Sequence, residues 1–524
     1  MNINDENKIA KLNPFEISEK MKEEVKKSKH RLYDAGRGNP NWVNTQARKA
    51  FALLLEFSCK ASGVVPSKST LRSLPINEGI AERLEEYLHK KDKSSAQFLL
   101  AMLEFVRNQE WNVDEFVSEL VHGILGDNYP SPPRVLKHTE KVLNLYFEDI
   151  LYKNKGLKDS SKIFPTEGGT AAIVYLFQSL KENFLIKNGD KIAMNTPIFT
   201  PYRDIPGIND YELVEMDIQS NEKDGWEMPL SALEKLKNPD IKVFFLVNPS
   251  NPGAVALSKE LLDKLEEVVK ENPELMIVSD DVYATFVEDF ESVYSRLPYN
   301  TIMVYSFSKL YGATGWRIGD IIMNEDNIFD KKIATLPDEE VEALNKRYGK
   351  ITSDVPSLAF IDRIVADSRS IGLSHTAGLS TPAQMMQMLF SFVHLLDNND
   401  TYSKECTDLV KLRARIFYKE LGLEMPDNIL STNYYGLVNI HELAEKIYGV
   451  PFSDFLWNNF PDIDFLLRLS RQFGVLLLDG LGFGTDRGEM RISFSNLFTS
   501  DYPEVAKGIL SVMDAYHKEF LRRQ

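Results

Sequence analysis

The 524-residue chain has few cysteines and no long apolar run. Its two cysteines, Cys59 and Cys406, exclude a disulfide scaffold and a cysteine-based zinc site. No apolar stretch approaches the roughly 18 residues that a membrane-spanning helix needs. The N-terminus is rich in charge and has no apolar segment of the kind found in secretory signals. We therefore expect a cytoplasmic protein that has no membrane partner.

The chain also has fewer basic than acidic residues. Lys and Arg number 61 against 77 Asp and Glu, which gives a net charge of −16. Such an acidic chain argues against nucleic acid as a partner. The eight histidines are scattered, and the segment "HELAE" at His441 lacks the second histidine of the zinc-protease motif. We expect no metal site and interpret His441 as ordinary helix surface.

Apolar spacing divides the chain into four predicted regions. Residues 1–45 form an N-terminal arm and a turn-rich loop that pack with the C-terminal domain. Residues 46–125 carry apolar residues at helical spacing and are predicted to be a helical insertion. Residues 126–380 form a large α/β domain, with a second helical insertion near 325–372. Residues 381–524 form a smaller α+β domain.

Short apolar runs alternate with helical segments in the predicted large domain. This alternation predicts a mostly parallel sheet with helices on its faces, and ligands bind such sheets at the carboxyl ends of the strands. The candidate strands are 190–195, 211–217, 242–248, 275–281 and 301–307.

Chemically distinctive motifs follow these strands. They are "TEGGTAA" (166–172), "NPSNPG" (248–253), "SDDVY" (279–283) and "SFSKLYGATGWRIG" (306–319). Each alone is a weak signal, because glycine pairs and Asn-Pro turns are common structural features. The set, in this order, is much more specific. A lysine at a strand end, with serines and Arg317 beside it, can form a Schiff base next to a phosphate site.

From about residue 36 to the C-terminus, this set resembles the fold-type I pyridoxal-phosphate (PLP) enzymes, the aspartate aminotransferase superfamily. The resemblance implies an α/β fold: a large domain with a mostly parallel seven-stranded sheet, and a smaller α+β domain. It also implies that PLP is the cofactor.

The resemblance implies a role for each residue around the cofactor ring. Lys309 would bind PLP covalently and then move the substrate's Cα proton. Asp280 would pair with the ring nitrogen and keep it protonated. Tyr283 and Asn251 would hydrogen-bond the ring hydroxyl oxygen. Phe199 would stack on the ring, although plain core packing is the alternative for this residue.

The phosphate and the substrate have their own implied ligands. The phosphate would be held by Gly169, Thr170, Ser306, Ser308 and Arg317. Tyr129, in "DNYPSPPR", would reach the phosphate in a neighbouring subunit, which implies at least a dimer. Arg491, in "EMRISFS", matches the arginine that binds the substrate α-carboxylate in a bidentate fork.

Two features favour one branch of the superfamily. The chain carries the helical insertions, and its N-terminal loop reads "AGRGNPNW". In both respects it resembles the aspartate β-decarboxylase family. Members of that family form dodecamers built from dimers, and they also act as aspartate aminotransferases. In that loop, Arg37 is the candidate contact to the distal carboxylate. Gly38, Asn251 and Arg491 are the other candidate substrate-binding residues. Arg37 has the alternative role of bracing the loop.

The resemblance implies conversion of L-aspartate to L-alanine and CO2 through a ketimine and an enamine, with keto acids as substrates of the side reaction. A plain aminotransferase for aspartate or another amino acid is the nearest alternative. A transcriptional regulator with an aminotransferase-like domain would carry a basic helix-turn-helix segment ahead of that domain, which this acidic chain lacks. A scaffold without catalysis is disfavoured because Lys309, Asp280, Arg317 and Arg491 are all present.

Overall fold

A seven-stranded sheet lies at the centre of the structure, a computed structural model that describes residues 14–64, 71–91, 94–130, 134–217 and 225–524. Parts of the predicted arm, of the first insertion and of the "DNYPSPPR" loop lie outside these residues. In chain order the strands are β1 (Ser161–Thr166), β2 (Lys191–Thr196), β3 (Glu212–Asp217), β4 (Ile241–Val247), β5 (Met276–Asp280), β6 (Thr301–Ser306) and β7 (Gly319–Asn324).

The strand order across the sheet is β1-β7-β6-β5-β4-β2-β3. Strand β7 runs antiparallel to both of its neighbours, and all other pairs are parallel. The five predicted strands are confirmed, each boundary within one residue. The side chains of β2, β4, β5 and β6 are mostly buried on both faces, as is typical of parallel strands covered by helices, whereas Glu212 of the edge strand β3 is exposed.

Helices surround this sheet. Helix Gly169–Glu182 packs on β1, β6 and β7. Between residues 45 and 125, four helices pack on one another and on helix Thr381–Leu395. The α-helices among the described residues are Pro14–Ser28, Thr45–Ala61, Ile80–His89, Ser94–Asn108, Val113–Leu125, Lys137–Ile150, Gly169–Glu182, Thr200–Arg203, Ile205–Ile208, Lys259–Glu271, Val293–Arg296, Ile328–Ala334, Asp338–Tyr348, Phe360–Asp367, Thr381–Leu395, Thr401–Glu420, Ile440–Tyr448, Val450–Asn459, Asp462–Phe473 and Tyr502–Arg523.

A three-stranded sheet organises the C-terminal part. Its strands are β8 (Tyr435–Asn439), β9 (Leu478–Asp479) and β10 (Glu489–Ser493), with β10 in the centre and antiparallel to both neighbours. Arg491 on β10 is therefore flanked by Leu437 and Leu478.

The N-terminal segment is attached to this C-terminal part. Residues Tyr33–Asp34 pair in parallel with Val475–Leu476, and helix Pro14–Ser28 packs on helix Asp462–Phe473. A two-stranded hairpin, Ser62–Val64 with Arg72–Pro75, completes the strands of the described residues. This attachment carries the "AGRGNPNW" loop toward the carboxyl ends of the central strands.

Candidate active site

A cleft of about 450 Å³ lies between the carboxyl ends of the central strands, the small sheet and the N-terminal loop. Its size is within the range of small-molecule sites, about 300–1,000 Å³. The structure brings all the predicted site residues except Tyr129 to this cleft. They are Arg37, Gly38, Gly169, Thr170, Phe199, Asn251, Asp280, Tyr283, Ser306, Ser308, Lys309, Arg317 and Arg491.

Lys309 lies in the turn that follows β6, with its side chain partly buried. Its Nζ donates a hydrogen bond of 3.0 Å to the carbonyl oxygen of Gly38. The hydroxyl of Tyr434 donates to the same carbonyl at 2.8 Å. The Nζ atom also lies 5.7 Å from the ring centroid of Tyr283. The N-terminal loop and the central sheet thus meet at the lysine amine.

Asp280 is the last residue of β5 and is buried. The Tyr202 hydroxyl donates to its Oδ2 at 2.9 Å, and the Val282 N–H donates to its Oδ1 at 3.3 Å. Burial raises the pKa of Asp280 to about 6, although these donors and the charge of Lys309 lower it. Both donors are neutral, so they do not neutralise the negative charge of the ionised carboxylate. A cationic N–H group in the cleft could therefore pair with Asp280.

One end of the cleft can bind an anion. Helix Gly169–Glu182 begins there, so its N-terminal amides carry partial positive charge. Ser306 and Ser308 lie beside it with their hydroxyl oxygens 2.9 Å apart. A Cβ built on Gly168 would lie 2.5 Å from Nη2 of Arg317, so glycine permits the guanidinium to approach the backbone. Amides, hydroxyls and a guanidinium together suit a phosphate group.

A second anion site surrounds Arg491, which is buried on β10. Its Nη1 donates to Oδ1 of Asn251 at 2.9 Å and its Nη2 donates to the carbonyl of Gly36 at 2.7 Å. The Nε is buried and has no hydrogen-bond partner among the described residues. The guanidinium also stacks 4.2 Å from the Tyr435 ring centroid. A buried cation whose acceptors are neutral and whose Nε makes no hydrogen bond within the described residues is suited to a carboxylate.

Arg37 and Tyr129 have less direct positions. Arg37 lines the cleft, but its side chain is 60% exposed and its Nε lies 3.4 Å from Oδ2 of Asp34. Tyr129 is 69% exposed and packs edge-on against His375, at 5.7 Å between ring centroids. Within one chain it does not line the cleft, so the prediction that it acts across a subunit interface stays a prediction.

The sequence analysis missed several residues of the cleft. Tyr202 lies three residues after Phe199 in the segment "TPIFTPY" (196–202). Tyr435 lies in "NYYG" and carries no local motif. Ser18, Glu19 and Lys22 of the N-terminal helix also line the cleft.

The interpretation of His441 as helix surface was wrong. The ring is buried against Trp457 at 4.7 Å between centroids, and its Nε2 lies 3.3 Å from Oδ1 of Asp462. Asn439 caps the start of this helix and turns His441 inward. Within the ranges that the structure describes, no group of three or more potential ligands could hold a metal ion. No helix in those ranges is long and apolar enough to cross a bilayer.

A strand-end lysine, an anion cradle, a buried carboxyl and a buried arginine at one cleft are the arrangement typical of PLP-dependent aminotransferases. Residues 127–509 match the family model of aminotransferase class I and II, and the chain belongs to this family. It is 40% identical to the bifunctional aspartate aminotransferase and L-aspartate beta-decarboxylase of a Pseudomonas species, over 518 residues that cover 98% of each chain.

Solved structures share the fold. The aspartate aminotransferase of Thermus thermophilus with maleate has a TM-score of 0.60 at 16% identity, over 96% of each chain. The aspartate aminotransferase of Rhizobium meliloti has a TM-score of 0.59 at 17% identity, over 95% of each chain. These likenesses establish the fold-type I architecture, and the expected seven-stranded sheet with a smaller α+β part is confirmed.

Enzymes of this family depend on PLP, so PLP is the cofactor of this protein. The cleft fits it. The anion cradle suits the phosphate, the carboxyl of Asp280 suits the cationic ring nitrogen, and Lys309 and Arg491 line the same cleft.

Proposed function

We propose that this protein converts L-aspartate into L-alanine and CO2 by β-decarboxylation. The same site transfers the amino group of aspartate to a keto acid as a side reaction. The observation that carries this proposal is the 40% identity to a bifunctional relative over 98% of both chains. Full-length coverage includes the helical blocks and the N-terminal loop that distinguish this chain from a plain aminotransferase.

Bound PLP supplies an electron sink for the electrons of bonds that break in the substrate. Asp280 keeps the ring nitrogen protonated, because a buried carboxylate is stabilised by a cationic partner. Tyr283 and Asn251 donate to the ring hydroxyl oxygen, and Phe199 covers the ring face. Gly169, Thr170, Ser306, Ser308 and Arg317 hold the phosphate.

Lys309 binds the cofactor through its amine and afterwards carries the proton of the substrate Cα. Its position supports both tasks, since the Nζ is held in the cleft by the carbonyl of Gly38. As a free amine tethered in the cleft, Lys309 would act as a general base toward the substrate Cα.

Arg491 binds the α-carboxylate, and its buried Nε, which makes no hydrogen bond within the described residues, is one of the donors for this contact. Arg37, with Gly38, lies on the side of the distal carboxylate. An exposed arginine already paired with Asp34 holds that carboxylate loosely, which suits a reaction in which the carboxylate must leave as CO2.

We further propose that the protein is a cytoplasmic homo-oligomer. Tyr129 is exposed in one chain and would contact the phosphate of a partner subunit, which requires a dimer. The dodecamer expected from the decarboxylase family would use the helical regions 46–125 and 325–372 as contacts. The four-region division of the chain is part of this proposal.

The test uses purified protein with PLP and L-aspartate, without a keto acid, and follows alanine and CO2 through many turnovers. Sustained, equal release of both supports the β-decarboxylase. A single turnover of oxaloacetate that resumes only after a keto acid is added would identify a plain aspartate aminotransferase. Lys309→Ala is the control, and it should produce neither product.

A further inference from the structure

Tyr435 is a buried phenol of the cleft, and Lys309 and Arg491 are among the cations that line the same cleft. Tyr435 is the first residue of β8 and lies opposite Ser493 of β10. Two residues further along β8, Leu437 lies opposite Arg491. Because alternate residues of a strand share a face, Tyr435 and Arg491 project from the same side of the small sheet. The Arg491 guanidinium carbon lies 4.2 Å from the centroid of the Tyr435 ring.

The Tyr435 hydroxyl differs electrostatically from those of its neighbours. Its oxygen lies 2.9 Å from the hydroxyl oxygen of Tyr283. Burial by itself would raise the pKa of Tyr435, but the charges of Lys309 and Arg491 and the Tyr283 hydroxyl bring it below the ordinary value. Burial raises the pKa of Tyr283 and of Tyr434 well above the ordinary value. Tyr435 is therefore the phenol of this cluster that releases a proton most readily.

β-Decarboxylation requires a proton at a second carbon. Loss of CO2 breaks the bond between Cβ and the distal carboxyl carbon, and a C–H bond takes its place. Lys309 is occupied with the proton at Cα. A separate proton donor that faces the same cleft would supply the proton to Cβ. Transfer of the amino group to a keto acid requires no proton at Cβ.

We propose that Tyr435 is the general acid that delivers the proton to Cβ. Its O–H bond breaks as the C–H bond forms with the electron pair left by the departing CO2. The resulting phenolate is stabilised by Lys309, Arg491 and the Tyr283 hydroxyl, and it takes a proton from solvent before the next turnover. Aspartate and one proton thus give alanine and CO2. This inference rests on the proposed decarboxylation.

The first test is Tyr435→Phe, which keeps the ring and removes the proton. Alanine formation should fall by about 10²-fold or more, the range for loss of a general acid. Formation of oxaloacetate from aspartate with a keto acid present should change little. Tyr418→Phe is the matched control, because Tyr418 is also buried, its hydroxyl lies 3.5 Å from the carbonyl of Leu437 on the same strand, and it is outside the cleft. It should alter neither rate.

The second test follows tyrosinate absorbance in the cofactor-free protein as the pH is raised. The wild type should show a phenol that ionises below the ordinary tyrosine range, and Tyr435→Phe should lack it. In the wild-type holoenzyme, alanine formation should decline relative to oxaloacetate formation as Tyr435 ionises at alkaline pH. The variant should lose this dependence.

Two results would overturn the assignment. One is an equal fall of both reactions in Tyr435→Phe, which would show a role in positioning. The other is an early-ionising phenol that persists in the variant. Failure of the wild type to make alanine from aspartate would instead overturn the proposed function, and the titration would still report on Tyr435.

Discussion

The hydroxyl oxygens of Tyr283 and Tyr435 lie 2.9 Å apart, although the residues are 152 positions apart in the chain. Tyr283 follows β5 of the central sheet and Tyr435 begins β8 of the small sheet. This contact therefore couples the two sheets at the cofactor cleft. A displacement of either sheet would change the hydrogen bonding of both phenols.

Gly38 leaves the space that the Tyr435 hydroxyl occupies. A Cβ built on Gly38 would collide with this oxygen. We predict that Gly38→Ala lowers kcat/KM for aspartate by about 10²-fold, the effect of misplacing a reacting group by about an ångström. Steady-state kinetics check this. Gly36→Ala is the control from the same loop, because its Cβ would meet the side chain of Leu478 at 3.0 Å, which can shift. An equal loss in both variants would contradict the prediction.

Arg37 should influence which reaction follows substrate binding. In the proposed site its positive charge would stabilise the distal carboxylate, a charge that is lost when CO2 leaves. We predict that Arg37→Ala raises the ratio of alanine to oxaloacetate by a few-fold, about 1 kcal/mol for an exposed ion pair. Both products are measured from one reaction. Asp34→Asn, which frees Arg37 from its partner at 3.4 Å, should move the ratio the other way. If Arg37→Ala lowers both rates by the same factor, Arg37 does not steer the choice.

Arg491 should not tolerate lysine. A lysine keeps the charge but loses the fork that contacts Asn251, Gly36 and the substrate. The loss of one or two charge-assisted hydrogen bonds predicts a fall in kcat/KM of about 10²-fold. Arg468→Lys, on helix Asp462–Phe473, is the control, since Arg468 pairs with Asp464 and Glu519 and is not among the residues that line the cleft. Near-normal kinetics of Arg491→Lys would exclude the bidentate role.

A buried carboxyl outside the cleft gives a prediction about stability. Asp320 on β7 accepts two hydrogen bonds of 2.7 Å from Nε2 of Gln387, and burial raises its pKa to about 8 despite these bonds. Between pH 4 and this value the folded chain keeps a proton that the unfolded chain releases. The free energy of unfolding should therefore fall as pH rises, by on the order of 1 kcal/mol per pH unit from this group.

Asp320→Asn removes the titrating proton and keeps the shape. The Tm of the variant should rise relative to the Tm of the wild type as pH rises. This difference in Tm should level off above pH 8. Thermal scans at one heating rate across this range provide the measurement. Asp408→Asn, at an exposed helical position, should show a constant difference. A constant difference for Asp320→Asn would mean that Asp320 is ionised throughout.

Much of the central sheet could be predicted because its parallel strands are continuous apolar runs, as in β4. Strands β1 and β7 were absent from the candidates. Strand β1 is an edge strand that contains Pro165 and polar residues at its ends, so its sequence resembles a loop. Strand β7 follows the glycines of the cofactor motif, which obscure where the strand begins.

The cofactor residues could be predicted because each follows a strand in a fixed order, as Asp280 and Lys309 do. Tyr435 could not, since its importance comes from a long-range contact with Tyr283 and from cations on two other segments. Tyr202 likewise gains its role from a hydrogen bond to Asp280, 78 positions away. The local sequence around Tyr435 and Tyr202 does not indicate either long-range contact.

The most direct test of the proposed chemistry is to identify which carboxyl group leaves. Two samples of L-aspartate, one labelled in the distal carboxyl and one in the α-carboxyl, are each incubated with the PLP-loaded protein without a keto acid. β-Decarboxylation predicts that the distal label appears in CO2 and that the α label stays in alanine. Release of the α label, or retention of both labels in oxaloacetate, would contradict the account.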